Sequence, residues 1–109
     1  MITHSDLKAH LACMSREELM TLAIQVTLWR TSLPLEGEDY RVMMRTLVAV
    51  SNAFTERGMY LRTGSACAPD HSAWGQVHAQ ARRARAEGVC PSLADVRAFC
   101  ARVSGKHTA

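Results

Sequence analysis

The chain has 109 residues, of which 48% are hydrophobic and only 6% aromatic, and it carries a net charge of +3. This length fits one domain with one core, and no apolar run approaches the roughly 20 residues that span a membrane. The N-terminus has no basic region followed by an apolar core, so we expect no signal peptide and a cytoplasmic location.

All of the predicted elements are helices, and the first two lie in the N-terminal third of the chain. Ser5 can cap a short amphipathic helix over residues 5–13. Ser15 and Glu18 have the spacing of a capping box, in which each side chain accepts a hydrogen bond from the other residue's backbone N–H. This pair predicts the start of a second helix over residues 16–31.

Apolar residues cover most of the circumference of the second helix. They form three stripes along it: Leu19, Ala23 and Val26; Met20, Ile24 and Leu28; Leu22 and Trp29. A helix that packs against one neighbour needs a single apolar face. We therefore expect this helix to be either central in the fold or shared with a second chain, and the excess of apolar surface favours a homodimer.

A third helix is predicted over residues 38–57. Pro34 and Gly37 separate it from the second helix, and the acidic residues beside Gly37 suit a helix N-terminus. Gly58 marks its expected end, although residues 59–61 could add another turn. Its apolar stripe contains Tyr40, Met43, Met44, Leu47, Val48, Ser51 and Phe54.

The last two helices are predicted at residues 72–87 and from Ser92 onward, after a loop at 63–71. Gly88 ends the fourth helix, and Ser92 with Asp95 repeats the capping-box spacing at the start of the fifth. The pattern predicts an all-α fold.

The predicted fold has about five helices, two of them long, in a compact bundle-like or orthogonal arrangement. Residues 1–103 form a single helical domain in this interpretation. Residues 104–109 are expected to be a disordered tail.

Candidate catalytic or metal-binding residues are few. The four cysteines are widely spaced and show none of the paired spacing of zinc sites. Cys67 with His71, next to Asp70 in the predicted loop, is the one arrangement that a thiol mechanism or a metal could use. An ordinary exposed loop is the favoured interpretation, so we expect no enzyme, no cofactor and no bound metal.

Nucleic-acid binding is the alternative function that the basic residues suggest. Residues 64–109 carry six Lys/Arg and three Asp/Glu, whereas residues 1–63 carry seven of each. The fourth helix, the turn at Gly88 and the fifth helix have the outline of a helix-turn-helix, and the candidate DNA contacts are Arg82, Arg83, Arg85 and Arg97. The second helix of that outline has few residues that read bases near its start, which makes this alternative the weaker one.

Protein binding is the function class that the apolar surface favours. Methionines supply adaptable hydrophobic surface, and Trp and Tyr are the residue types that anchor interfaces. The candidate partner contacts are Leu28, Trp29, Tyr40, Met43 and Met44. For any single Met the alternative remains that it belongs to the core.

The length, the helix order and three stretches give the sequence a family resemblance. The stretches are MSREELM at 14–20, YRVMMRTL at 40–47 and ARRARAEG at 81–88. With them the chain resembles the QslA-like quorum-sensing antiactivators of pseudomonads over nearly its whole length. The resemblance implies a homodimer that binds a LuxR-type receptor such as LasR and blocks its dimerisation and DNA binding. It assigns no role to an individual residue.

Overall fold

The structure is a computed structural model that describes residues 4–59, 73–89 and 91–105. These residues form five helices and no strand, which confirms the predicted all-α class. The helices are α1 (His4–Ala12), α2 (Arg16–Ser32), α3 (Gly37–Glu56), α4 (Ala73–Ala86) and α5 (Leu93–Gly105). The two long helices, α2 with 17 residues and α3 with 20, are the two that were expected. No helix in the described ranges is long and apolar enough to cross a membrane.

The capping box at the start of α2 is present as predicted. The Ser15 hydroxyl accepts a hydrogen bond from the Glu18 N–H at 3.1 Å, and Glu18 Oε1 accepts one from the Ser15 N–H at 3.0 Å. Two backbone donors that the helix leaves open at its N-terminus are thereby satisfied. The start of α2 is therefore determined by residues that are close in sequence.

Glycines in the left-handed region end α3 and α4. Gly58 has a φ of 69°, its N–H donates to the Thr55 carbonyl at 3.1 Å, and the Met59 N–H donates to the Phe54 carbonyl at 2.8 Å. These two bonds define a Schellman motif, which needs a residue with positive φ. The same pair of bonds recurs around Gly88 at the end of α4.

Helix α2 lies at the centre of the fold. It packs against α3 and, most extensively, against α4, and the Trp29 ring lies 5.8 Å from the Phe99 ring of α5. Its buried residues are Leu19, Leu22, Ala23, Val26, Thr27, Leu28 and Trp29. Of the two predicted alternatives, a helix central in the fold accounts for these residues without a second chain, while Met20 and Ile24 are only partly buried. The buried residues of α2 therefore give no support to the predicted homodimer.

Helix α3 turns only part of its broad apolar stripe toward the core. The buried residues of α3 are Val42, Met43, Thr46, Ala49, Val50 and Phe54. Tyr40 and Val48, which the predicted stripe placed beside Met43 and Phe54, are 48% and 50% exposed. The helix therefore has a second apolar side that the described residues leave partly exposed.

The C-terminal helix packs apart from α4. Helix α5 contacts α1 and α3, and the Ser92 N–H donates to Asp95 Oδ2 at 3.0 Å, which is one half of the predicted capping box. The domain boundary predicted at residue 103 falls inside a helix, because α5 continues to Gly105. Residues 106–109 and the predicted loop at 63–71 lie outside the described residues.

Two long-range contacts hold helix ends together. The Arg57 guanidinium donates to the Leu11 carbonyl at 2.9 Å and to the Met14 carbonyl at 3.0 Å, so the end of α3 caps the end of α1. The backbone N–H of Trp74 donates to the Met59 carbonyl at 3.3 Å. This second bond fixes the start of α4 beside the end of α3.

Trp29→Ala should lower the free energy of unfolding by about 3–5 kcal/mol, because the indole is fully buried and its loss leaves a cavity. Trp29→Phe should cost less, since the indole N–H has no hydrogen-bond partner among the described residues and phenylalanine removes that donor. Urea unfolding followed by circular dichroism measures both. Tyr40→Ala at a half-exposed site is the control, and a loss as large as that of Trp29→Ala would contradict the central position of Trp29.

Glu18 should contribute to the pH dependence of stability. The Ser15 backbone N–H, and after it the Ser15 hydroxyl, hold the pKa of Glu18 below its ordinary value. A lowered pKa gives a contribution that is present above about pH 4.3, the ordinary Glu pKa, and is lost as pH falls through the folded-state pKa. Glu18→Gln keeps an acceptor in the capping box but removes the titration.

Thermal unfolding at a series of pH values tests this expectation. Glu18→Gln should lose less of its Tm than the wild type on acidification, whereas the neighbouring Glu17→Gln, outside the capping box, should follow the wild type. Identical acid limbs for Glu18→Gln and the wild type would contradict the role of the capping box.

Candidate functional site

Two adjoining depressions lie along the outward side of α3, each with a volume of about 410 Å³. The first is lined by Arg30, Leu33, Pro34, Leu35, Tyr40, Met43, Met44 and Leu47. The second is lined by Arg30, Leu47, Val48, Ser51, Asn52, Trp74 and His78. Because Arg30 and Leu47 line both, the depressions form one continuous surface, which we call the α3 groove.

Helical spacing explains why the α3 groove is apolar and open. Met44 follows Tyr40 by four residues, Leu47 and Val48 follow Met44 by three and four, and Ser51 follows Val48 by three, so they share one side of α3. The core of the fold takes the neighbouring side, and no helix among the described residues covers this one. Tyr40 and Val48 consequently expose about half of their surface.

The connection between α2 and α3 forms one wall of the groove. Leu33, at the C-terminus of α2, has extended backbone angles, and Pro34 after it excludes a continuation of the helix. Leu33 and Leu35 are half-buried and pack against the edge of the core, whereas Pro34 is exposed. This short segment therefore adds apolar surface at the N-terminal end of α3.

The predicted partner contacts divide into core residues and groove residues. Trp29 is 0% exposed and Leu28 is 7% exposed, so the prediction that they contact a partner directly is wrong. Met43 is 3% exposed and forms the floor of the groove. Tyr40 and Met44 line the groove and keep exposed surface, as the prediction requires.

Sequence reasoning missed several residues of the groove. Leu47 and Val48 were present in the predicted stripe of α3 and could have been selected by their spacing. Trp74 could not, because it reaches the groove through tertiary packing, with its ring 5.1 Å from the Phe54 ring of α3. Helical spacing predicts its contact with the His78 ring, at 5.2 Å on the same helix, but no local pattern predicts the contact with Phe54.

The candidate DNA contacts lie on two helices with different neighbours. Arg82, Arg83 and Arg85 are exposed on α4, which packs mainly against α2. Arg97 on α5 forms an ion pair with Asp39 of α3 at 3.8 Å. In a helix-turn-helix the second helix packs against the first, whereas the main neighbours of α5 are α1 and α3. This arrangement gives the DNA-binding alternative little support.

The predicted thiol arrangement of Cys67, Asp70 and His71 lies outside the described residues. Within them, no group of three or more His, Cys, Asp or Glu residues lies close enough to hold a metal ion. Burial, and after it the Asp39 carboxylate, raise the pKa of Cys100, which is a free thiol, so this group is not activated as a nucleophile.

A smaller cleft of about 220 Å³ lies between α1 and α3. Its wall contains Ala49 and Ala53 together with the charged residues Lys8, Glu56 and Arg57. The Arg57 guanidinium already donates to two carbonyls at the end of α1. We assign this cleft to the packing of α1, and the α3 groove is the better candidate for binding.

No protein-family model matches the chain, and neither a curated protein nor a solved structure matches it. The resemblance to QslA-like antiactivators thus stays a prediction.

Val48→Asp should change the free energy of unfolding by less than about 1 kcal/mol, because the side chain is half exposed and its carboxylate can stay hydrated. Val50→Asp, two residues away but 1% exposed, should cost more than about 3 kcal/mol, because it buries an unpaired charge. Urea unfolding of the two variants measures the difference. Equal destabilisation would show that the side of α3 assigned to the groove is covered in solution.

Proposed function

We propose that the protein is a non-enzymatic regulator that binds a transcription factor through the α3 groove. The observation that carries this proposal is the apolar side of α3, with Tyr40 and Val48 half exposed after the core is complete. A groove lined by aliphatic, Met and aromatic side chains is typical of surfaces that take an amphipathic helix.

The mechanism in this proposal is competition. A factor that must dimerise to bind DNA has an apolar dimer interface of its own. The α3 groove covers that interface in place of the second subunit, so the factor can neither dimerise nor bind DNA. The interaction takes place in the cytoplasm, where such a factor meets its operator.

The identity of the partner as a LuxR-type quorum-sensing receptor rests on the sequence resemblance alone. The groove supports a protein partner of this kind without specifying the receptor. The predicted homodimer also rests on the sequence resemblance alone, because most of the apolar residues of α2 are buried within their own chain. Sedimentation equilibrium of the wild type and of Val48→Asp tests whether a second copy uses the groove.

The DNA-binding alternative depends on the exposed Arg82, Arg83 and Arg85 of α4. It predicts an affinity for duplex DNA that falls steeply with added salt, since phosphate contacts release counterions. Binding to a protein through the α3 groove should fall less steeply over the same range of salt, since its apolar contacts release no condensed counterions.

Titration calorimetry with the ligand-binding domain of a LuxR-type receptor tests the proposal. The wild type should bind and should convert the receptor domain from dimer to heterocomplex. Val48→Asp should weaken binding by at least about 2 kcal/mol, because it places a charge in the apolar contact. Val89→Asp is the matched control, since Val89 is 48% exposed and Val48 is 50% exposed, but Val89 lies outside the groove.

Two results would contradict the proposal. Absence of binding by the folded wild type would remove the receptor as the partner. Binding by Val48→Asp as tight as that of Val89→Asp would remove the α3 groove as the contact surface.

A further inference from the structure

A stripe on α4 borders the α3 groove. Trp74, His78, Arg82 and Arg85 follow one another at intervals of three or four residues, so they lie along one side of the helix. Trp74 and His78 line the groove directly. The stripe therefore leads from apolar and aromatic surface at the start of α4 to arginines at its end.

The last arginine of the stripe, Arg85, lies beside the end of α2, which borders the groove. Arg85 Nη1 lies 3.5 Å from the carbonyl oxygen of Thr31, and the neighbouring Arg30 lines both depressions of the groove. Arg30, Arg82 and Arg85 are all exposed. Three guanidinium groups thus border one edge of an apolar surface.

These arginines have no acidic counterpart in the described part of the chain. None of the three forms an ion pair there, whereas Arg41 pairs with Glu38 and Arg97 with Asp39. The described residues that line the groove include no Asp or Glu. The described charged side chains at this edge of the apolar strip are therefore cationic.

The groove has the length of a short helix. Tyr40 and Ser51 are both on its α3 side, and the 11 residue-to-residue steps that separate them correspond to about 16 Å at 1.5 Å per step. This distance is about three turns of a partner helix with apolar residues at intervals of three and four. A helix of that kind fits the apolar strip, and its flanking positions face the arginines.

We infer that the occupant of the α3 groove is an acidic amphipathic helix of the partner protein, whose carboxylates pair with Arg30, Arg82 and Arg85. This inference rests on the proposed function and adds the chemistry of the partner segment. Arginine suits the role because its planar guanidinium binds a carboxylate through two parallel hydrogen bonds. Arg82 and Arg85 then serve protein binding, not DNA binding.

The α4 helix provides a matched control for this assignment. Arg83 is as exposed as Arg82, but it lies one position further along the helix and so points about 100° away from the stripe. Arg16 is exposed at the opposite end of α2 from Arg30. The pairs Arg30→Glu with Arg82→Glu and Arg16→Glu with Arg83→Glu change the net charge equally on the same two helices.

Fluorescence anisotropy with two labelled peptides of about 16 residues tests the inference, a length of about 24 Å as a helix. Both carry the same leucines at helical spacing, and they differ in having glutamates or lysines at the flanking positions. The wild type should bind the glutamate peptide more tightly. The variant with Arg30→Glu and Arg82→Glu should raise the Kd for that peptide about tenfold and should prefer the lysine peptide. The control pair should stay within about threefold of the wild type.

Several outcomes would overturn the inference. Equal losses for the two variant pairs would show an effect of net charge only, and a preference of the wild type for the lysine peptide would reverse the predicted chemistry. A labelled DNA duplex bound more tightly than the glutamate peptide, and released by the Arg83→Glu pair, would assign the arginines to DNA. A groove-dependent homodimer that excludes the peptide would make a second copy the occupant.

The peptide experiment is independent of the receptor experiment. Receptor binding that is sensitive to Val48→Asp, without any preference for the glutamate peptide, would overturn this inference and leave the proposed function in place. Failure of receptor binding together with a clear preference for the glutamate peptide would overturn the LuxR-type receptor as the partner and leave the acidic helix as the occupant of the groove.

Discussion

The enclosure of Trp29 is the constraint on which the arrangement of the helices depends. The indole is fully buried and lies against Phe99 of α5, while α3 and α4 pack along the helix that carries it. Once α2 has these neighbours, α3 can turn only one side of its apolar circumference inward. The apolar surface of α3 is larger than the surface that packs against its neighbours, and the uncovered part of it forms the α3 groove.

The binding surface is therefore a by-product of the same packing that stabilises the domain. Met43 shows the connection, because it is 3% exposed and lies under the groove as its floor. Helix α4 contributes in two ways, with Val77 and Ala81 in the core and Trp74 in the groove wall. A rigid floor under an open apolar surface limits the conformational entropy that binding would cost.

Features that depend on residues close in sequence could be predicted from the sequence. The Ser15–Glu18 capping box and the glycine ends of α3 and α4 involve partners three to five residues apart, and all of them are present. The residues of the candidate site could be predicted only in part. Periodicity identified the apolar positions of α2 and α3 but not the residues that pack against them. Trp29 was therefore predicted as a partner contact, whereas Phe99, 70 residues later in the chain, packs against it.

The hydrogen bond from the backbone N–H of Trp74 to the Met59 carbonyl has an evolutionary consequence. It joins the residue after the end of α3 to the first turn of α4 through backbone atoms alone. Any residue except proline can supply the donor at position 74. Among homologues this contact should therefore accept any side chain at position 59 and exclude proline at position 74.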